Sequence, residues 1–181
     1  MNLLSAIADL VDDPQGFIDR AGTRETGWAG VSGYLFGTFS IFIFLRMFSA
    51  VLPGVYSFLN VLLVVTAVNF LFAAVIHLFL EMTGSNGKAL KLFFLFGLTE
   101  FLWVLLIPLG FIARLGLIHP VIDLFICFFV IIIARISLTR RLYSISRNKA
   151  LLALGLPYAA AAAGFLIVFV YAIVYLVWLV A

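Results

Sequence analysis

Long apolar runs separated by short polar breaks dominate the chain. Five of them reach the ~20 mostly apolar residues that a helix needs to cross ~30 Å of hydrocarbon. They extend from about Trp28 to Leu52, Tyr56 to Glu81, Lys88 to Ala113, His119 to Ile136 and Gly155 to Ala181. Pro53-Gly54 closes the first run, and Gly84-Ser85-Asn86-Gly87 breaks the chain after the second. Pro120 and Pro157 fall near the starts of the fourth and fifth runs, where proline suits a first helical turn. Pro108 lies inside the third and predicts a kink. The runs are continuous rather than alternating, which argues against strands and a membrane barrel. The pattern predicts an all-α polytopic bundle of five transmembrane helices, with short connections making consecutive helices antiparallel.

Residues 1–27 follow another pattern. Leu3, Leu4, Ile7, Leu10 and Val11 recur at helical spacing, so Met1 to Val11 reads as a short amphipathic helix. Asp12 or Asp13 then caps a second turn entered at Pro14, with Phe17 and Ile18 on its apolar side. Two acidic, half-apolar pieces ahead of a membrane span are expected to lie on the membrane surface, packing on the bundle or binding a partner. They contain no apolar h-region or small-residue cleavage site, so no signal peptide is read in them.

Composition supports a membrane setting. Charged residues make up 10% of the chain against about 25% in a typical soluble domain, which leaves too few for a polar shell. The mean hydropathy of +1.27 agrees. The net charge of +3 does not point to nucleic acid, because the cations sit in short gaps where lipid phosphates are the nearer partner. Counted by side, Arg20, Arg24, Lys88, Lys91, Arg135, Arg140, Arg141, Arg147 and Lys149 stand against Arg46 and Arg114. The bias predicts a cytoplasmic N-terminus and an external C-terminus in a cell inner membrane. Arg135 to Lys149 reads as a basic loop lying on anionic lipid headgroups.

Candidate chemistry is sparse. In the second run Thr66, Asn69, Ala73, His77 and Glu81 fall on one small and polar helical stripe. Glu100 lies ~18 Å beyond Lys88, near mid-membrane and at the depth of Asn69. A carboxylate at that depth must face protein or water, and a hydrogen bond to Asn69 or Thr66 is expected. Thr66, Asn69, His77 and Glu100 therefore form the candidate polar site, either a structural clamp or a proton or cation pathway. Arg46, Arg114 and Asp123 approach the outer ends of their spans, and an ion cluster among them competes with snorkelling of both arginines to headgroups. Gly33 and Gly37, flanked by Gly30 and Ser40, make a small-residue face, and Gly155, Ala159 and Ala163 repeat it. Such faces pack helices closely, within one bundle or between copies.

The single cysteine, Cys127, excludes an internal disulfide and supports no metal cluster. No catalytic set, cofactor motif or metal-ligand spacing is read, so the expectation is a protein that is not an enzyme.

The order of these features resembles the Yip-domain family, small membrane proteins named for interaction with Ypt/Rab GTPases, in its compact prokaryotic form. The resemblance rests on Asp13-Pro14 and Phe17 in the lead, and on His77-Leu78-Phe79 followed by Gly84 to Lys88-Ala89. It continues with the late Pro108 and with Asn148-Lys149-Ala150 ahead of the last helix. It covers nearly the whole chain and is mostly topology. It implies five spans, a cytoplasmic N-terminus and a role in organising membranes and their proteins. The Asp-Leu-Tyr-Gly-Pro motif of the eukaryotic members is replaced by Asp13-Pro14-Gln15-Gly16-Phe17, so no GTPase-binding residue carries over. The remaining functional expectation is a small transporter or channel using the polar surface around Glu100.

Overall fold

In lipid every backbone polar group needs an internal partner, which selects helices for continuous apolar runs. The computed structural model describes Gly16 and residues 23–180, and its regular structure there is entirely helical. The helices are α1 (Thr23–Met47), α2 (Val55–Met82), α3 (Ala89–Glu100), a 3-10 turn (Phe101–Leu105), α4 (Leu106–Arg114), α5 (Pro120–Leu142) and α6 (Arg147–Val180). With α3 to α4 taken as one span, five helices are long and apolar enough to cross a membrane. The amphipathic lead expected over Met1 to Val11, with its second turn at Pro14, lies outside the described residues.

Several boundaries differ from the sequence expectation, each for a local reason. α1 already includes the residues from Thr23 to Gly27 ahead of Trp28, so Thr26, fully buried, belongs to the bundle and not to a lead. It ends at Met47 rather than Leu52, because Ser49 turns left-handed (φ 56°) and closes the helix with Ser49 N–H to Arg46 O and Ala50 N–H to Leu45 O. α5 continues six residues past Ile136, with Leu138 and Thr139 buried. α6 starts at Arg147 rather than Gly155, where Ser146 Oγ accepts the Lys149 N–H at 3.3 Å. Ala150, Ala153 and Leu154 in its first turns are buried. Pro157 therefore lies inside α6 and leaves the Ala153 carbonyl without its helical donor. In the third span the 3-10 turn ends three residues before Pro108 and includes Val104, whose carbonyl that proline cannot bond.

Helices in lipid gain little from hydrophobic burial against one another, so close backbone packing matters more. The α1–α3 contact shows this. These helices run parallel, with Gly30 over Phe94, Gly33 over Gly97 and Gly37 over Glu100. A Cβ on Gly33 would lie 2.1 Å from the Gly97 carbonyl oxygen, and one on Gly37 would lie 2.2 Å from that of Glu100. Tyr34 between them is buried and donates to Phe93 O at 2.8 Å. The small face of the first span thus packs inside the bundle.

The second small face does not. Gly155 has open space around it, and every residue from Ala159 to Leu179, including Ala163, is exposed. The packing role assigned to Ala159 and Ala163 is not met within this chain, because α6 touches the bundle only through its first third.

At the turn after α2, Gly84 (φ 78°) supplies the left-handed residue that lets Ser85 N–H reach Leu80 O at 2.9 Å. Gly87 lies beneath the Tyr143 ring, where a Cβ would come within 2.2 Å of it. Around this end Ile76, Leu80, Leu92, Phe96, Ala153 and Leu154 make a closed core.

Gly33→Ala should therefore lower stability in micelles by about 1–3 kcal/mol through overpacking. Gly155→Ala, with nothing to strike, should leave it unchanged or slightly raised. Detergent-micelle unfolding of the two variants checks this, and equal effects would contradict the packing described.

Candidate functional site

The last residue of α3 carries the centre of the site. Glu100 and Arg135 are both buried, at 3% and 4% exposure, and the Arg135 Nη2 bonds Glu100 Oε1 directly. Glu100 sits eleven residues into the third span, ~16 Å along its axis, and Asn69 is halfway along α2. Two ions at such depth are tolerable only when paired and otherwise hydrogen-bonded.

The remaining donors and acceptors come from three further directions. Asn69 Nδ2 donates to Glu100 Oε1 at 3.1 Å and to Val65 O at 2.9 Å, while Asn69 Oδ1 accepts from Arg135 Nη2 at 2.5 Å. Arg135 Nε donates to Thr99 Oγ1 at 3.1 Å, and Nη1 donates to Tyr158 Oη at 3.3 Å. Its guanidinium also lies 4.6 Å from the centre of the Phe96 ring, a cation–π contact. One arginine thus reaches α2, α3 and α6 from α5. Its forked donors fit this task, which a lysine point charge could not reproduce.

The expected Glu100–Asn69 hydrogen bond is present, but its strongest partner was missed. Arg135, expected as the first cation of a cytoplasmic loop, points into the bundle about two turns before the end of α5. That loop is a helix as far as Leu142 and again from Arg147, with only residues 143–146 between. A signal did exist in the sequence. Asp123, Cys127, Ile131, Arg135 and Thr139 recur every four residues, and all five are buried on one face of α5.

The polar site expected of Thr66, Asn69, His77 and Glu100 divides in two. Thr66 is half-buried and takes no part in the Glu100 network. His77 lies eight residues from Asn69, ~12 Å along the helix, and belongs to the end near Tyr143. There His77 Nδ1 and Tyr143 Oη are 2.8 Å apart, and His77 Nε2 faces Glu81 Oε2 at 3.5 Å. Burial, and then the Glu81 charge, pushes the Tyr143 phenol up to about 12, so it stays protonated beside the ring nitrogen. Lys149 Nζ closes the same end by donating to Thr83 O at 2.9 Å and Ser85 Oγ at 2.8 Å.

No ion cluster forms among Arg46, Arg114 and Asp123. Arg46 Nη1 donates to Val51 O at 2.9 Å, and Arg114 Nε donates to Met47 O at 3.0 Å. Each arginine thus satisfies carbonyls at or beyond the end of α1, where the helix dipole favours a cation. Asp123 is fully buried elsewhere, and neither of its carboxylate oxygens has a hydrogen-bond partner.

Beside the ion pair opens a cleft of about 310 Å³. Its walls are apolar, from Ile41, Val64, Val68, Phe72, Phe128 and Ile131 among others, and its polar floor is Asn69, Glu100, Arg135 and Tyr158. Trp103 of the 3-10 turn also lines it. The cleft lies where α6 departs from α2 and α5. Among the described residues no group of three His, Cys, Asp or Glu is placed to hold a metal ion. No protein-family model matches the chain, and no curated protein or solved structure shows significant similarity to it.

Proposed function

We propose that this is a non-enzymatic integral membrane protein of the Yip-domain kind, which organises membrane or partner proteins from within the bilayer. The observation that carries the reading is the free outer part of α6. Its root is fixed by Lys149 on the α2–α3 turn and by Tyr158 on Arg135, yet Ala159 to Leu179 is exposed on every side. Those 21 residues extend ~31 Å from the level of Tyr158, more than enough to cross the outer half of the hydrocarbon core. This uncovered part opens with Ala159 to Gly164, a small-residue run that admits another helix backbone. A rigidly rooted, laterally free span is suited to gathering other membrane helices.

The chemistry of the cleft supports the non-enzymatic part. Its two ionic groups neutralise each other, and its amide and phenol are engaged with them, so the floor offers no free nucleophile or base. Orientation still follows the cations. With Arg135 withdrawn into the bundle, eight of the nine remain on the N-terminal side against Arg46 and Arg114. That side is cytoplasmic in this reading, and the membrane is the cell inner membrane.

Ala159→Leu combined with Ala163→Leu tests the proposal. The unaltered chain should migrate in mild detergent as an assembly larger than its 20.0 kDa, and the double variant as a monomer. It should still unfold cooperatively as a folded monomer, because neither alanine touches the bundle. A monomeric unaltered chain taken from native membranes would defeat the reading.

A second reading, a small transporter, rests on the cleft that reaches Glu100. It requires proton or cation flux into proteoliposomes that is lost in Glu100→Gln with the fold retained. Equal flux in both proteins, or none in either, rejects it.

A further inference from the structure

Several cations of the bundle are engaged with the chain itself. Arg46, Arg114 and Lys149 donate to carbonyl or hydroxyl oxygens, and Arg135 is bound to Glu100. The side chains of Lys88, Arg141, Arg140 and Arg147 are not so engaged among the described residues, and of these Arg140 and Arg147 share one pocket. Both are exposed, and neither guanidinium has a hydrogen-bonding or ionic partner among the described residues.

The tight turn after α5 brings these two arginines together. Ser144 adopts a left-handed conformation (φ 50°), Ile145 N–H bonds Arg140 O at 3.0 Å, and α6 starts two residues later. The last turn of α5 and the first residue of α6 then share a pocket of about 230 Å³, lined by Ile133, Ile136, Ser137, Arg140 and Arg147. Along α5 this lining is graded. Arg140 stands at the helix end, Ser137 nearly one turn back, and Ile133 ~10 Å deeper with 66% of its surface exposed.

We propose that this pocket binds the phosphate of an anionic phospholipid, with Arg140 and Arg147 on the phosphate and Ile133 and Ile136 against the upper acyl chain. The inference rests on the membrane reading above and deepens it by naming a ligand and its residues. Guanidinium forks recognise phosphate oxygens in pairs, and the pocket also lies at the N-terminus of a long helix, which favours an anion. Basic pockets between spans on the cytoplasmic side are where lipid headgroups lodge. The apolar wall selects a lipid over a free phosphate, which would use only the mouth. Because the pocket joins α5 to the root of α6, an occupied site would brace the helix that the proposed assembly uses.

The test is native mass spectrometry of the full chain in micelles titrated with dioleoyl-phosphatidylglycerol, dioleoyl-phosphatidylcholine or inorganic phosphate. One phosphatidylglycerol should be retained per chain, in preference to phosphatidylcholine, and millimolar inorganic phosphate should not displace it. Arg140→Gln with Arg147→Gln should weaken retention at least tenfold. Lys88→Gln with Arg141→Gln, which removes the same charge outside the pocket, should change it less than threefold. Equal losses in the two double variants would overturn the site in favour of diffuse surface attraction. Undiminished binding in Arg140→Gln/Arg147→Gln would overturn it outright, and displacement by inorganic phosphate would overturn the lipid assignment. All variants should insert equally into lipid nanodiscs, so a failed site is distinguishable from a failed membrane reading.

Discussion

The ion pair between Glu100 and Arg135 is the constraint around which the bundle is arranged. Burying two charges costs several kcal/mol each, and their attraction offsets this only when the other lone pairs and protons are satisfied as well. Here the satisfaction comes from Asn69 on α2, Thr99 on α3 and Tyr158 on α6, while Arg135 itself is on α5. α1 joins the same level through Gly37, whose missing side chain admits the Glu100 backbone. Elements from all five spans therefore meet at one depth. A cluster of this kind has zero net charge and specifies one register for each helix.

The two sides of this cluster are built differently. Toward the α2–α3 and α5–α6 turns the helices close on a core of Leu80, Leu92 and Ala153, with Lys149 and the His77–Tyr143 pair fastening the end. Toward the other end α6 leaves its neighbours after Tyr158, a 3-10 turn interrupts the third span, and the cleft opens. The first half roots α6, and the second, where α1, α4 and α5 pack around Phe44, Leu106 and Cys127, leaves it uncovered. This division connects the buried pair to the proposed role, because without the Arg135–Tyr158 bond the free helix would lose part of its fixed origin. It also places the lipid pocket at the root, where a bound headgroup would act on the same joint.

Much of the architecture was legible in the residues. Five apolar runs, their short breaks and the depth match of Glu100 with Asn69 follow from length and hydropathy alone, since a bilayer imposes a fixed length on each helix. Helix ends were less legible. Ser49 and Ser144 take left-handed conformations that glycine more often supplies, so the ends at Met47 and Leu142 carry no strong sequence mark. The rule that charge marks a helix end misplaces Arg135, because a buried acid on a neighbouring span draws it inward. The same assumption kept Arg147 to Leu154 out of the last helix. Ala159 and Ala163 show the opposite limit: small residues signal that a backbone can be approached, but not by which partner.

A double-mutant cycle between Glu100 and Arg135 tests the central claim most directly. Glu100→Gln, Arg135→Met and the pair of substitutions together would be compared by unfolding in micelles. The account predicts that each single change costs about 3–5 kcal/mol and that the double change costs markedly less than their sum. Single costs below ~1 kcal/mol that add within ~0.5 kcal/mol would show that the pair does not organise the bundle.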